Sequence, residues 1–260
     1  MAVQFGAVHG PLYGPNPSDN PLVLFPTTSA GVTAYGLPAP TAIWPLQEAA
    51  SATTADDILG SYDLTAANSP TSGVSTTLQG GTRLAWRFTN GGTTRLDAAN
   101  VADFNTGSPL VIAGLWKTAT NPAANSQVVG ARDSTSPNAG WEFYMNTAGA
   151  PQLVVDWGAS QVTITSATTH TDSNWHPFMV CIDEDGDLRA WFNTDLVAPT
   201  EGTLTAGATQ VSAKLSVGRG RIASLGCDVA YLVAWTGANA QGWLSTRSAK
   251  FEAFKDMVGF

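Results

Sequence analysis

The sequence predicts an all-β protein, an antiparallel β-sandwich with an extended N-terminal arm and a short C-terminal helix. Short apolar segments with two-residue alternation recur between residues 42 and 235, separated by Gly, Pro, Asn and Ser turns. Prolines crowd the N-terminal segment, and the apolar spacing near the C-terminus becomes helical. We therefore divide the chain into an arm at 1–40, a sandwich at 41–237 and a helical tail at 238–260.

The N-terminal arm is defined by seven prolines within residues 1–40. Each proline fixes its own φ and lacks a backbone N–H donor, so a regular helix is excluded and a central strand is disfavoured. A short apolar run, Leu22, Val23, Leu24 and Phe25, could anchor the arm on its own domain or on a neighbouring subunit. We expect that deletion of residues 1–40 leaves a folded domain.

The central part of the chain predicts many short strands. Residues 82–88 alternate, with their aromatic side chains on one face, whereas residues 110–116 are apolar on both faces and predict a central strand. The strongest hairpin signal lies at the acidic turn 183–187, where alternating apolar segments flank an Asp-Gly pair. Further strands are predicted at 42–48, 127–131, 141–145, 152–157, 161–165, 214–218 and 228–235.

The C-terminal segment 242–260 changes its apolar spacing to three, four and seven residues. Polar residues fall between the apolar ones, which predicts a helix whose apolar face docks on the sandwich. The apolar positions are Trp243, Leu244, Phe251, Phe254 and Val258.

Charge and hydropathy exclude several classes of partner. Charged residues make up only 12 % of the chain, about half the usual share, which suits a subunit covered by neighbours. The formal net charge of −8 argues against nucleic-acid binding, because phosphate backbones would be repelled. No apolar run approaches the roughly 20 residues that span a bilayer, and the first residues lack the features of a secretory signal. We expect neither a nucleic-acid nor a membrane partner.

Two cysteines, Cys181 and Cys227, lie inside apolar strand-like segments. Such residues are commonly buried free thiols that pack as small hydrophobic groups. A disulfide between them requires adjoining strands, which the sequence does not reveal. Two cysteines are too few for a zinc or redox motif.

Several segments resemble, in order, the motifs of laminin-G-like domains, a family with the concanavalin A-like lectin–glucanase sandwich, or jelly roll. The resemblance covers about residues 42–247 and implies the fold more strongly than a function, since one scaffold hosts lectins, hydrolases and spacers. The matching segments are 44–48 (WPLQE), 57–64 (DILGSYDL), 175–193 (the central hairpin), 215–218 (LSVG) and 226–233 (GCDVAYLV).

Glutamates are too dispersed for the catalytic strand of the related laminarinase-type enzymes. Those enzymes carry an E-x-D-x-x-E motif, because retaining glycoside hydrolysis needs two carboxyl groups roughly 5 Å apart. Here no two glutamates lie within five residues of each other. We therefore predict that the protein is not an enzyme and has neither catalytic nor cofactor-binding residues. The glutamates are Glu48, Glu142, Glu184, Glu201 and Glu252.

Two kinds of binding site have candidate residues. The acidic turn 183–187 lacks the glutamate and the flanking helices of an EF-hand loop, so a hairpin turn is favoured there. A calcium ion at the rim, as in some lectins of this fold, would use Asp133 with Asn138 or Asp156. Sugar contact would use aromatic rings whose polar neighbours predict partial exposure, although core packing is the default for such rings. These rings are Trp141, Tyr144, Trp157 and Trp191.

A lectin-like sandwich without an export signal is typical of a virion protein, which is made in the host cytoplasm and released by lysis. Phage particles display laminin-G-like domains as decoration, appendage or fibre subunits, and the resemblance implies such a role. We predict a homo-oligomeric structural protein at the virion surface, anchored to other virion subunits by its arm and able to bind host-surface glycans. Two alternatives stay open, a free carbohydrate-binding module and a divergent glycoside hydrolase that would depend on Glu142 or Asp156.

Overall fold

Two antiparallel β-sheets pack face to face in the computed structural model of this chain, and short helices follow the last strand. The predicted fold class is confirmed. The structure describes residues 25–78, 81–90, 92–98, 102–104, 109–122, 124–132, 140–156, 161–182, 188–192, 195–197, 214–219, 223–224, 226–244 and 246–260, with the backbone only at 102, 188–192, 195–197, 223–224 and 244.

The strands are short and lie close together in the sequence, as the turn residues predict. In chain order they are β1 (Ala42–Trp44), β2 (Thr54–Ala55), β3 (Leu64–Ala67), β4 (Thr71–Leu78), β5 (Gly81–Phe88), β6 (Arg95–Ala98), β7 (Leu110–Thr118), β8 (Ser126–Arg132), β9 (Gly140–Met145), β10 (Pro151–Asp156), β11 (Gln161–Thr165), β12 (His176–Ile182), β13 (Leu188–Phe192), β14 (Asp195–Val197), β15 (Ser216–Val217), β16 (Ala223–Ser224) and β17 (Cys227–Thr236). The helices are α1 (Ser29–Thr33), α2 (Gly237–Leu244) and α3 (Arg247–Val258), with a 3₁₀ turn at Ala102–Phe104.

The first sheet has the strand order β14-β13-β12-β7-β17-β5-β4, and β1 also pairs with β17. The second sheet has the order β11-β10-β9-β8-β15-β6-β3-β2, and β16 pairs with β8 in parallel. Both predicted hairpins are present, because β9 pairs with β10 and β12 pairs with β13. The segment predicted as a central strand forms β7, between β12 and β17.

Side chains between the two sheets form the larger hydrophobic core. Ile112 and Trp116 of β7 point into it, and Gly114 occupies the inward position between them. A Cβ at Gly114 would lie 2.5 Å from Leu232 Cδ2 and 2.8 Å from Phe178 Cε1. The glycine therefore provides the room in which these two side chains pack across β7.

The outer face of the first sheet carries a second hydrophobic core, so this sheet is buried on both faces. Val111 and Leu115 of β7 belong to this outer core. In β17 the register shifts between Val229 and Tyr231. The irregularity lets two consecutive residues, Ala230 and Tyr231, join the outer core, where strict alternation would send one of them inward.

Residues 25–40 supply much of the cover for the outer core. Phe25 stacks on Tyr231 with ring centroids 4.9 Å apart, and the Tyr231 hydroxyl donates to the Pro26 carbonyl at 3.1 Å. Trp235 Nε1 donates to the Pro38 carbonyl at 2.8 Å. Apolar packing fixes the segment to β17, and so do hydrogen bonds in which side chains of β17 donate to carbonyl groups of the segment.

This packing bears on two expectations about the arm. Phe25, predicted as an anchor for the arm, is buried in the core of its own sandwich. Deletion of residues 1–40 would remove Phe25, Val32 and Leu37 from the outer core, and this packing argues against the expectation that it leaves a folded domain. The other three predicted anchoring residues, Leu22, Val23 and Leu24, lie outside the described residues.

The two C-terminal helices complete the cover of the outer core. Trp243 of α2 packs against Trp235 with ring centroids 4.4 Å apart, and α3 buries Phe251 and Phe254. Gly259 ends α3 with a φ of 82°, a left-handed conformation that glycine adopts without strain. In the part of the chain that the structure describes, no helix is long and apolar enough to cross a membrane.

Cys181 and Cys227 are both buried. Cys181 points into the outer core of the first sheet, whereas Cys227 points into the core between the sheets. Because their side chains lie on opposite faces of one sheet, the two thiols cannot form a disulfide.

Candidate functional site

Trp141 and Tyr144, two of the predicted sugar-contacting residues, do not present their rings to solvent. Trp141 is fully buried between the sheets, where its Nε1 donates to the Phe104 carbonyl at 2.9 Å. Tyr144 is only 8 % exposed. The predicted exposure is wrong for both, because β9 is buried on both of its faces: Trp141 points into the core between the sheets, and the face that carries Glu142 and Tyr144 is covered as well. Trp157 and the side chain of Trp191 lie outside the described residues.

Asp156, a predicted calcium ligand, is bound by an arginine. Arg132 donates Nη1 to Glu142 at 3.0 Å and Nη2 to Asp156, and all three residues are buried. The two carboxylates of the hydrolase alternative therefore share one guanidinium in an ion-pair cluster across β8, β9 and β10. Asp133 and Asn138 lie outside the described residues. Among the residues that are described, no three metal-ligating side chains form a group.

An open cleft lies at one end of the first sheet, where β5 and β7 end and β17 begins. Its volume is about 480 Å³, within the usual range of small-molecule sites. We call it the charged cleft, because three ionised side chains stand in it among hydroxyl and amide groups. Its polar residues include Thr71, Arg87, Asn90, Lys117, Ser173 and Asp228.

Arg87, Asp228 and Lys117 are cross-strand partners on β5, β17 and β7. Arg87 donates Nε and Nη2 to the two Asp228 oxygens at 2.7 and 2.9 Å. Lys117 Nζ lies 3.5 Å from the same carboxylate. The hydrogen bond to Asp228 raises the pKa of Arg87, so this guanidinium stays charged. Two positive charges thus stand against one negative charge.

The exposure of these groups is unequal. The Asp228 side chain is 5 % exposed, whereas the Arg87 side chain is 56 % exposed. Asp228 therefore acts as a buried support that orients the guanidinium, and Arg87 is the group that a ligand would meet. A bidentate pair on neighbouring strands holds the arginine in one orientation before any ligand arrives.

Besides Asp228, two residues position Lys117, namely Thr76 and Trp175. Its Nζ donates to Thr76 Oγ1 at 2.8 Å and lies 4.9 Å from the centre of the Trp175 ring. Trp175 Nε1 also donates to Thr76 Oγ1, at 3.2 Å. The ammonium group is therefore held by a hydroxyl, a ring face and a carboxylate, and it retains partial exposure.

No motif or spacing in the sequence predicts this cleft. Arg87 and Asp228 are 141 positions apart in the chain, and no spacing rule connects residues on separate strands. One signal was present, because Asp228 is the acidic residue of an otherwise apolar strand. A carboxylate at such a position requires a cationic partner, although the partner cannot be identified before the strand order is known.

Comparison with known proteins shows similarity in structure. No protein-family model matches the sequence, and no curated protein matches it. A Trypanosoma rangeli sialidase in complex with the inhibitor DANA has a TM-score of 0.59 and 12 % identity, over 85 % of this chain and 34 % of that chain. The receptor binding domain of botulinum neurotoxin D has a TM-score of 0.55 and 10 % identity, over 80 % of this chain and 52 % of that chain.

These similarities show a shared β-sandwich. The chain spans about a third of the length of the sialidase chains that it matches. At such low identity the likeness shows the fold alone, because one sandwich carries many unrelated sites. The relation to laminin-G-like phage proteins stays a prediction.

The prediction that the protein is not an enzyme is contradicted by this comparison, since sialidases share its sandwich. It was drawn from the missing carboxylate motif, yet some glycosidases attack with a tyrosine instead. Among the described residues, the Tyr62 hydroxyl donates to Asp103. Burial and then the Asp103 hydrogen bond raise the pKa of Tyr62 to about 12, so its phenol stays protonated at neutral pH.

Proposed function

We propose that the protein is a glycan-binding sandwich module whose site is the charged cleft. The observation that carries this proposal is the half-exposed guanidinium of Arg87, fixed by Asp228 in an open cleft. An arginine has five N–H donors, and among the described residues Arg87 gives two of them to Asp228. The Arg87 side chain is more than half exposed, so its guanidinium can meet a ligand.

The surroundings of Arg87 suit a sugar. Thr71, Asn90 and Ser173 bring hydroxyl and amide groups to the same cleft, and all three are exposed. Sugars offer many hydroxyl groups, which pair with donors and acceptors of this kind. The comparisons support the proposal, since one matched sialidase is described in complex with sialic acid and the toxin domain is a receptor binding domain.

A glycan array, followed by calorimetry with each glycan that binds, tests the proposal. We expect Arg87→Ala to weaken binding at least about tenfold, because a charge-assisted hydrogen bond contributes about 1.5–3 kcal/mol. Arg95→Ala is the matched control, since Arg95 pairs with Asp97 in the second sheet. Asn90→Ala changes an exposed residue of the cleft and reports on the site even if Arg87→Ala lowers stability.

Two results would contradict glycan binding at this cleft. One is an array without any bound glycan when the protein shows a cooperative melting transition. The other is a bound glycan whose affinity is unchanged in both Arg87→Ala and Asn90→Ala.

A second part of the proposal concerns assembly. The chain acts as a homo-oligomeric virion subunit that displays the sandwich outward, and its N-terminal arm makes the contacts with sister subunits. The low share of charged residues supports this role. Since residues from Phe25 onward pack on their own sandwich, the contacts are assigned to residues 1–24.

Light scattering tests this assignment. We expect the full chain to have the mass of an oligomer and a variant without residues 1–24 to have the mass of a monomer with an unchanged melting temperature. A monomeric full chain, or an oligomer that survives the deletion, would contradict it.

A further inference from the structure

A second cleft adjoins the charged cleft. Its volume is about 500 Å³, and it lies between the loop at residues 50–53 and the turn that leads into β4. We call it the neutral cleft, because its lining contains no ionisable side chain. The residues that line it include Ser51, Thr53, Asn68, Ser69, Thr71 and Ser72.

The two clefts meet at Thr71, which lines both of them. Thr71 pairs with Arg87, and the register of β4 shifts between Thr71 and Val74. A Cβ at Gly73 would lie 2.3 Å from the Ala50 nitrogen. Glycine therefore lets the strand irregularity lie directly against the loop that forms the wall of the neutral cleft.

Unusual backbone conformations concentrate at the two clefts. Among the described residues, five that are not glycine have φ in the left-handed region. Four of the five line a cleft, namely Ser173 in the charged cleft and Ser51, Asn68 and Ser69 in the neutral cleft. Such conformations cost free energy and concentrate at ligand-binding sites, where they fix the orientation of polar groups.

The charged cleft contains ionised side chains and the neutral cleft contains none, so the two clefts favour different parts of a ligand. The charged cleft has one more positive than negative side chain, although the whole protein has a formal net charge of −8. An anionic group near Arg87 and Lys117 would gain charge-assisted hydrogen bonds. The neutral cleft offers hydroxyl and amide groups without charge, which suits an uncharged sugar ring.

We infer that the two clefts form one site for an acidic oligosaccharide, with its anionic sugar at Arg87 and Lys117 and a neutral sugar in the neutral cleft. This inference rests on the proposed glycan binding and specifies the class of glycan. A ligand that fills both clefts crosses Thr71, so it must contain at least two sugar units.

Calorimetry with two sets of sugars tests the inference. One set contains sialyllactose, its carboxyl-reduced form, free sialic acid and lactose. The other contains a trisaccharide that ends in a uronic acid, its carboxyl-reduced form and the free uronic acid. We expect at least one acidic trisaccharide to bind at least about tenfold more tightly than both its reduced form and the free sugar acid.

Two variants separate the contributions of the clefts. Arg87→Ala, or Lys117→Gln if the first variant is unstable, should remove the advantage of the acidic over the reduced trisaccharide. Thr53→Trp, which places a large ring at an exposed position of the neutral cleft, should remove the advantage of the trisaccharide over the free acid. Thr163→Trp on the edge strand β11 is the matched control. It should change neither the advantage of the acidic over the reduced trisaccharide nor the advantage of the trisaccharide over the free acid.

The outcomes separate this inference from the proposed function. Equal binding of acidic and reduced trisaccharides, with both weakened by Arg87→Ala, overturns the acidic ligand and leaves glycan binding in place. Equal affinities for the free sugar acid and the acidic trisaccharide overturn the inference that the two clefts form one site. Absence of binding by every sugar here and on the glycan array overturns both.

Discussion

Asp57 shows how one buried carboxylate can shape a loop. Its Oδ1 accepts from the backbone nitrogens of Ile43 and Leu59 at 2.9 and 3.1 Å. Its Oδ2 accepts from those of Ser61 and Tyr62 at 3.1 and 3.2 Å. Asp57 begins the DILGSYDL segment that resembles the laminin-G-like motif, and the structure gives it a structural role.

We expect Asp57→Ala to lower the free energy of unfolding by about 3 kcal/mol, because four backbone N–H donors lose a charged acceptor at a buried position. Asp56→Ala is the matched control, since Asp56 is exposed and should change stability by less than about 0.5 kcal/mol. Urea unfolding followed by tryptophan fluorescence measures both. Equal stability of the two variants would refute this role for Asp57.

Asp172 makes stability depend on pH. Partial burial raises the pKa of Asp172, but hydrogen bonds from the Asn174 side chain, from His176 and from the Asn174 backbone outweigh it and lower the pKa from 3.8 to about 2. The folded state thus binds this proton less readily than the unfolded state. The resulting stability is present above pH 4 and is lost as the pH falls from about 4 to about 2.

Melting temperatures of the wild type and Asp172→Asn between pH 2 and pH 7 test this dependence. We expect the wild type to be more stable above pH 4, by less than about 1 kcal/mol because the Asp172 side chain is 50 % exposed, and the difference to vanish near pH 2. A difference that is constant with pH would contradict the assignment.

At the scale of elements, the segment at residues 25–40 is part of the folded unit although it contains little regular structure. It contributes the buried side chains of Phe25, Val32 and Leu37 to the outer core, next to α2 and α3. A sheet buried on both faces needs such cover, because β17 offers apolar side chains on its outer face as well as on its inner face.

Two deletions distinguish the contribution of residues 25–40 to stability from that of residues 1–24. We expect removal of residues 1–24 to leave the melting temperature within about 2 °C of the wild type. Removal of residues 1–40 should abolish cooperative melting or cause aggregation, because each lost apolar side chain contributed about 1.5–3 kcal/mol to a stability of about 5–15 kcal/mol. Circular dichroism measures both, and equal melting of the two variants would contradict this contribution.

At the scale of the whole molecule, the two thiols report on global unfolding. Cys181 and Cys227 lie in the two different cores, and burial raises the pKa of Cys227 well above its ordinary value. A thiol reagent reacts with the thiolate form and needs access to it. The folded protein should therefore protect both residues.

We expect a thiol reagent to leave both cysteines unmodified in the folded protein and to modify both at one common rate when urea unfolds it. The single variants Cys181→Ala and Cys227→Ala identify each signal. Rapid modification of Cys181 without denaturant would show that the outer core opens independently of the core between the sheets.

The sequence predicted the strands better than it predicted the site. The hairpins β9–β10 and β12–β13 and the central strand β7 follow from local alternation and turn residues, so they could be predicted without the tertiary structure. The exposure of Trp141 and Tyr144 could not, because it depends on which face of β9 meets the first sheet and on what covers the other face.

By itself, the sequence determined the all-β class, the helical C-terminus and the low charge of the chain, since each depends on residue types and on their short-range spacing. Only the tertiary structure decided which strands lie side by side. That order places Arg87 and Lys117 on either side of Asp228 and joins two clefts at Thr71. The physical reason is that strand pairing brings together residues that are distant in the chain, and no local pattern encodes their partners.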